Sequence, residues 1–424
     1  MDITTGLQLL EALRRADQAE TNLTASSRAA HRAVQAAADA LTDITHCEQQ
    51  LDAARADEQV RAAADLLERA RQTYIDSGRR RRSAENKVHR AYAAARAANR
   101  ELGSLYAPVA RGRGTGGRGR AAVAASVLQE LAAMPLELIR AADALAIHSS
   151  AGKDSLAMLD QLAAWADQAG CTDKVIVVHC DLGDTSEWPG VRELAERQAA
   201  RYGLRFIAID SEGGLLGLTE KRGKFPDAAR RLCTSSLKRD KANVLLTAIV
   251  TALGLDRQAV VINCLGIRAA ESPARARKLP LAIDTRTSNS KRLVLTWHPI
   301  LEWSETAVWE QIATEGLEYH PAYDALMPRL SCVFCVLAGY SVLVRAVRLC
   351  WALKLPLPEK YTELEARIGH RFKDQYSLAD IVAEAARVEA DEGPLTWSCG
   401  DAIRAHLGEA AAADYALRRF ALAA

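Results

Sequence analysis

Proline is missing from the first 105 residues of this 424-residue chain, and glycine occurs there only at Gly6, Gly78 and Gly103. Those are the residues that interrupt helices, and what fills their place, Ala, Arg, Glu, Gln and Leu, forms helices well. An excess of one charge is also missing, since 55 Lys and Arg stand against 53 Asp and Glu. That balance excludes a general affinity for polyanions and leaves only local basic clusters. No run of 18 or more residues is both apolar and uncharged, so the sequence offers no transmembrane helix and no membrane partner. The opening Met1-Asp2-Ile3-Thr4-Thr5 lacks the basic stretch and apolar core of a signal peptide. Nine cysteines, scattered apart from Cys332 and Cys335, fit a reducing cytoplasm, where paired cysteines more often serve metal or redox chemistry than staples.

Residues 1–106 read as a helical hairpin or coiled-coil arm. Leu10, Leu13, Leu41, Ile44, Leu51, Val60, Leu67, Ala70, Tyr74, Val88 and Tyr92 recur at spacings of three, four and seven. Residues 22–27 and Asp76-Ser77-Gly78 are the candidate turns. Such an arm suits a protein partner or self-association. The run Arg79-Arg80-Arg81-Arg82 reads as a solvated helix face, with RNA or DNA contact as the alternative. Residues 107–120 hold five glycines and four arginines, a composition that cannot bury a core and reads as a flexible linker.

The pattern then changes. A helix is expected over 121–140, strands at 144–149, 174–180, 205–209 and 259–264, and helices at 154–168, 189–202 and 236–253, with a long loop from 210 to about 226. Strands separated by helices pair in parallel through right-handed crossovers, which gives an open α/β sheet over 121–340. Residues 341–424 read as a helical C-terminal cap broken near Pro356 and Pro358. In such sheets a ligand sits beyond the carboxyl ends of the strands.

The first of those ends is the most informative stretch. After the apolar run 144–148 come Ser149-Ser150-Ala151-Gly152-Lys153-Asp154-Ser155, opening a helix. Small residues let the backbone turn with its amides facing one spot, and the helix dipole and Lys153 add positive charge there, an anion site suited to phosphate. The spacing departs from the Walker loop and resembles the pyrophosphate loop of the N-type ATP pyrophosphatases. Further strand exits carry related chemistry. Asp181 and Gly183 follow the second strand and suit a ribose hydroxyl, a metal-bound water or a turn. Between 221 and 239 lie seven cations, Arg231 and Lys238 among them, against the single acid Asp227, a density suited to a polyphosphate. After the fourth strand, Gly266-Ile267-Arg268-Ala269-Ala270-Glu271-Ser272-Pro273-Ala274-Arg275 sets two arginines around a carboxylate. Arg268 and Arg275 can grip phosphate oxygens with Glu271 orienting one of them; a salt-bridged turn is the alternative.

Taken together these elements resemble the phosphoadenosine phosphosulfate (PAPS) reductase-like family of the adenine nucleotide α-hydrolase (PP-loop) superfamily. The matching pieces are the 150–155 loop, 179–183, Arg231-Leu232-Cys233-Thr234 with Leu237-Lys238, the Gly266 to Arg275 motif, Pro299-Ile300-x-x-Trp303, and Val308-Trp309. They span about 140–345. A related branch includes the sulfur-transfer protein of DNA phosphorothioation, and thiolating tRNA enzymes share the loop more distantly. The resemblance implies ATP with Mg2+ as ligand and Lys153, Asp154 and Arg268 as catalytic groups. It also implies a nucleotide held by Ser150, Gly152, Ser155, Asp181, Gly183, Arg231, Lys238, Gly266, Glu271 and Arg275. Two departures stand out. Sulfonucleotide reductases carry a catalytic cysteine in a Glu-Cys-Gly-like tail, whereas Cys399 lies in Trp397-Ser398-Cys399-Gly400 and the sequence closes on Arg418-Arg419-Phe420-Ala421-Leu422-Ala423-Ala424. Iron–sulfur members use a Cys-Cys pair plus Cys-x-x-Cys, but here Thr234 follows Cys233. Cys233, Cys332 and Cys335 remain as three candidate ligands for a [4Fe-4S] cluster with an open iron site, or for Zn2+ with an outside fourth ligand. Plain buried thiols are the alternative.

The expected function is cleavage of ATP at the α-phosphate to AMP and pyrophosphate, with a nucleic-acid or sulfur-transfer acceptor. A sulfonucleotide reductase, or a non-catalytic nucleotide-binding accessory module of a mobile-element or CRISPR-type defence system, are the competing readings.

Overall fold

The computed structural model describes residues 2–54, 57–106, 117–211, 213–227 and 230–423. The chain divides into two compact units, Met1–Val127 and Leu128–Ala424.

The first unit is built on two helices, Ile3–Ala53 and Asp57–Tyr106. The Asp2 side chain starts the first by accepting a hydrogen bond from the Thr5 amide at 2.9 Å, satisfying one of the amides a helix start leaves open. Arg15 meets Glu101 at 2.9 Å and Arg71 meets Glu48 at 3.5 Å. As one number of each pair rises the other falls, so the helices run antiparallel. These exposed ion pairs add little stability; burial of Ala37, Ala40, Ala63, Leu67 and Ala95 contributes more. Both turns expected from sequence lie inside helices. Nothing at 22–27 or at Asp76-Ser77-Gly78 demands a positive φ. One internal glycine costs only about 1 kcal/mol, less than the pairing of 50-residue helices supplies. The chain reverses instead after Ala54, which is extended. Of the expected linker, residues 107–116 lie outside those described. Residues 117–120 begin the helix Gly117–Ala132, and Pro135, which cannot donate to a preceding carbonyl, opens a separate helix, Pro135–Ala141. The single helix expected over 121–140 is therefore two.

The second unit is the expected open sheet, with six strands: β1 (Ala144–His148), β2 (Val175–Asp181), β3 (Arg205–Asp210), β4 (Ala259–Leu265), β5 (Leu281–Ile283) and β6 (Arg292–Trp297). Their order is β3-β2-β1-β4-β6-β5. All neighbours pair in parallel except β5, which runs antiparallel along β6. Strands β1 and β2 are buried almost end to end, because helices cover both faces of a parallel sheet. The helix Lys153–Ala169 buries Leu156, Leu159, Leu162, Ala163 and Ala166 and stops at left-handed Gly170, the usual helix end. From β1 the chain winds outward through β2 to β3, then returns to β4 on the other side. The crevice at the carboxyl ends of β1 and β4 is thus the topological switch point. Strands β5 and β6 and the helix Gly214–Arg222, set in the stretch expected to be loop, were not anticipated. Helices Tyr340–Ala352, Leu357–Ile368, Leu378–Glu392, Asp401–Leu407 and Glu409–Ala423 follow the sheet. Among the described residues no single helix is long and apolar enough to cross a membrane.

His298 and His320 are both buried. His320 bonds the Pro189 carbonyl through Nε2 at 3.0 Å and accepts the Ala322 amide at Nδ1 at 3.1 Å, an arrangement that only the neutral ring completes. Burial lowers the pKa of both histidines. Below the ordinary value near 6.5 the unfolded chain takes up protons that the folded chain does not, so stability falls as pH drops from 6.5. The loss is expected to reach about 1.4 kcal/mol per histidine per pH unit until each folded pKa is passed. Denaturant midpoints at pH 7.5 and pH 5.5 test this, and equal midpoints would refute it.

Candidate nucleotide site

A cavity of about 700 Å³ opens at the switch point. Ser150, Gly152, Asp154 and Ser155 line it from the β1 side, Leu265, Gly266, Glu271 and Arg275 from the β4 side, and Arg231, Cys233 and Lys238 from a third wall. The segment after Tyr323 closes it with Arg329, Cys332 and Cys335.

The loop is held by local chemistry. Ala151 has a φ of 55°, a left-handed conformation costly for a residue with a Cβ, and its side chain is fully buried. Ser149 Oγ accepts the Ala151 amide at 3.1 Å, and Ser155 Oγ accepts the Ser150 amide at 3.2 Å while donating to the Gly152 carbonyl at 2.9 Å. The Lys153 amide donates to the Tyr323 hydroxyl at 2.9 Å. Tyr323 packs edge-on against Trp309, with centroids 5.4 Å apart, which ties the Val308-Trp309 motif to the phosphate loop. Gly266 lies against the same loop from β4. A Cβ there would come within 3.0 Å of the Asp154 carbonyl oxygen and 3.1 Å of Ser155 Cα, so only glycine permits this approach without displacing the loop.

The Lys153 ammonium is buried and does not line the cavity. It lies 3.2 Å from the Pro328 carbonyl, 3.2 Å from Glu305 and 3.4 Å from Asp154, and 5.6 Å from the Tyr323 ring centroid. Two carboxylates and a carbonyl hold it there. Arg268, also buried, donates through Nε to Asp154 at 2.5 Å. It backs the loop rather than facing the cavity.

The cavity's positive charge comes instead from Arg231, Lys238, Arg275 and Arg329. Glu271, with a side chain only 6% exposed, pairs with Arg275 through Oε2 and with Arg329 through Oε1 at 3.3 Å. It thus orients Arg275, while Asp154 holds Arg268. Burial first, and then the guanidiniums of Arg329, Arg231 and Arg268, lower the pKa of Arg275 against the pull of Asp154. Such crowding of like charge is relieved by an incoming polyanion. Arg231, at φ 47°, leads into a π-helical turn, Ser235–Arg239, that carries Lys238; single π turns are frequent at functional sites. Asp181 and Gly183 do not line the cavity. Asp181 accepts the Gly183 amide at 2.8 Å and pairs with Arg192 at 3.0 Å.

Cys233, Cys332 and Cys335 are free thiols that share the cavity wall. Burial pushes Cys332 up to about 12, with Lys238 opposing and Cys335 and Glu187 adding to the rise. Left alone, this thiol stays protonated at neutral pH. A soft cation would take the proton's place, and thiolates are the donors that iron–sulfur clusters and zinc take. The three sulfurs share a wall but are not drawn together within 4.8 Å of one another, as a single zinc ion would need. Sequence reasoning missed Arg329, Tyr323 and His148, whose Nε2 donates to Asn263 at 2.5 Å. Arg329 lies just ahead of the Cys-x-x-Cys segment, a signal that was available.

A mostly parallel sheet whose first strand ends in a small-residue loop, facing a cationic cavity at the switch point, defines an anion-binding α/β domain. Residues 144–338 match the phosphoadenosine phosphosulfate reductase domain. An uncharacterised 37.8 kDa protein of Escherichia phage 186 is 32% identical over 154 residues, which cover 35% of this chain and 43% of the phage protein. The chain thus aligns with less than half of that relative's length. Among solved structures, FMN adenylyltransferase of Candida glabrata with FAD and inorganic pyrophosphate is similar at a TM-score of 0.31 and 10% identity. That likeness covers 49% of this chain and 64% of the other. The U34-tRNA thiolase NcsA of Methanococcus maripaludis with its [4Fe-4S] cluster is similar at a TM-score of 0.30 and 14% identity, covering 67% and 90%.

Proposed function

We propose that this domain binds ATP, with its Mg2+, in the switch-point cavity and cleaves it between the α- and β-phosphates. The observation that carries the reading is the set of cations, Arg231, Lys238, Arg275 and Arg329, that line one cavity with the phosphate loop, with only Asp154 and Glu271 as acids in the lining. An oxygen nucleophile attacks the α-phosphorus, the bond to the bridging oxygen breaks, and pyrophosphate leaves with the electron pair. Water gives AMP; an acceptor oxygen gives an adenylated product. Arg275 and Arg329, held by Glu271, offset the charge that grows on the departing pyrophosphate. Asp154 and Arg268 keep the loop in register with the β4 exit. ATP labelled at the α-phosphate is expected to yield labelled AMP, and Asp154→Ala to abolish that yield. Labelled ADP alone, or no turnover with and without RNA or DNA, would overturn the reading.

A second reading rests on the three thiols at the same wall. Cys233, Cys332 and Cys335 would hold a [4Fe-4S] cluster, which would bring sulfur chemistry to the bound nucleotide, or Zn2+ in a structural role. Protein prepared without oxygen is expected to carry iron with sulfide, or zinc, and to lose it in Cys332→Ser. A metal-free preparation would refute this.

A further inference from the structure

A second cluster of ligand atoms lies just outside the cavity, where β2 ends. His179 Nε2 and carboxylate oxygens of Asp181 and Glu187 all fall within 4.8 Å of one another. His179 is only 1% exposed, and its Nε2 has no hydrogen-bond partner. The other ring nitrogen, Nδ1, lies 2.9 Å from the Ser149 carbonyl. A carbonyl only accepts, so Nδ1 carries the proton, and in the neutral ring Nε2 presents a lone pair. That lone pair faces Glu187 Oε2 at 3.5 Å, too far for a hydrogen bond. Backbone amides orient both carboxylates: Gly183 donates to Asp181 Oδ1 at 2.8 Å, and Leu182 donates to Glu187 Oε2 at 3.2 Å. A buried nitrogen lone pair aimed at two carboxylates is costly unless something positive lies between them.

We propose that His179, Asp181 and Glu187 bind a divalent first-row transition ion. One imidazole and two carboxylates suit Zn2+, Fe2+ or Mn2+, whereas Mg2+ and Ca2+ favour all-oxygen sets. Metal–ligand bonds of about 2.0–2.2 Å set ligand atoms about 3.3–3.6 Å apart around a tetrahedral ion. The His179–Glu187 pair at 3.5 Å already meets that spacing, and the third donor, within 4.8 Å, would close by up to about 1.5 Å. The carbonyl that orients His179 belongs to Ser149, next to the phosphate loop, an outer partner of the kind that fixes metal-bound histidines. The ion would therefore brace the 181–187 turn against that loop. Arg192, which pairs with Asp181 and Asp210, would share Asp181 with it. This site shares no residue with the cavity lining or with the three thiols, although the charge of Glu187 reaches Cys332.

The test uses tag-free full-length protein with Cys233, Cys332 and Cys335 replaced by serine, stripped with chelator and titrated with Co2+. On the order of one ion per chain is expected, with visible d–d absorption and no sulfur-to-cobalt charge-transfer band. Glu187→Gln and Asp181→Asn preserve shape, and each is expected to weaken binding at least about 10-fold, while melting in chelator stays at the parent value. His179→Gln is expected to abolish binding. Absence of Co2+ binding in the thiol-free protein would overturn the proposal. So would affinity that survives both Glu187→Gln and Asp181→Asn, since the ion would then sit elsewhere.

Discussion

Arg275→Ala is expected to weaken ATP binding about 10- to 100-fold, the range for one charge-assisted contact of about 1.5–3 kcal/mol. The loss has two sources. One is the guanidinium itself, which lines the cavity beside Arg329 and presents a fork matched to phosphate oxygens. The other is what remains behind. Glu271 is nearly buried, and Arg275 and Arg329 are its cationic partners. Removing Arg275 leaves a half-compensated carboxylate where the polyphosphate is to lie. The double variant Arg275→Ala/Glu271→Gln separates the two, because neutralising the carboxylate is expected to restore part of the affinity while the contact stays lost. Titration calorimetry with a non-hydrolysable ATP analogue measures both, with Arg257→Ala as the control, since Arg257 pairs with Asp143 away from the cavity. Wild-type affinity in Arg275→Ala would place the polyphosphate elsewhere, and equal affinity in the single and double variants would remove Glu271 from the account.

The sheet could be read from sequence because parallel strands buried on both faces leave continuous apolar runs such as Val175-Ile176-Val177-Val178, and the turns between them carry glycine and charge. The helix after the phosphate loop was equally legible, since its apolar residues recur at helical spacing up to Gly170. Strand β6, Arg292-Leu293-Val294-Leu295-Thr296-Trp297, is harder to read, because its apolar run is short and Arg292 and Thr296 interrupt the continuous pattern of a strand buried on both faces. The side-chain directions within the site could not be read. In the sequence, Lys153 is a cation at a helix start. In the fold, Glu305 and the Pro328 carbonyl, some 150 and 175 positions further on, are its partners. Tyr323 is another long-range contributor, reaching the Lys153 amide because Trp309 fixes its ring. Local patterns report which backbone turns form; contacts between distant segments decide where the charges point.

The same division between local and long-range demands can be tested at two glycines. Gly214→Ala is expected to cost about 4 kcal/mol or more, enough to leave little folded protein. Gly214 has a φ of +51°, and a Cβ there would stand 2.2 Å from the Leu182 carbonyl oxygen and 2.4 Å from Ser186 Oγ. Neither neighbour can yield cheaply. Leu182 is main chain in the turn that also presents Asp181 and Glu187, and Ser186 Oγ accepts the Leu215 amide at 2.8 Å. Gly170→Ala provides the comparison, because Gly170 has a φ of +66° but nothing within 4 Å of an added Cβ. It is expected to cost only about 1–2 kcal/mol, the left-handed penalty alone. The difference between the two in denaturant unfolding is therefore the price of close approach, with backbone strain cancelled. Equal losses would mean that the Gly214–Leu182 contact relaxes freely. The turn beside the phosphate loop would then be loosely held, and bracing by His179, Asp181 and Glu187 would have no rigid frame to act on.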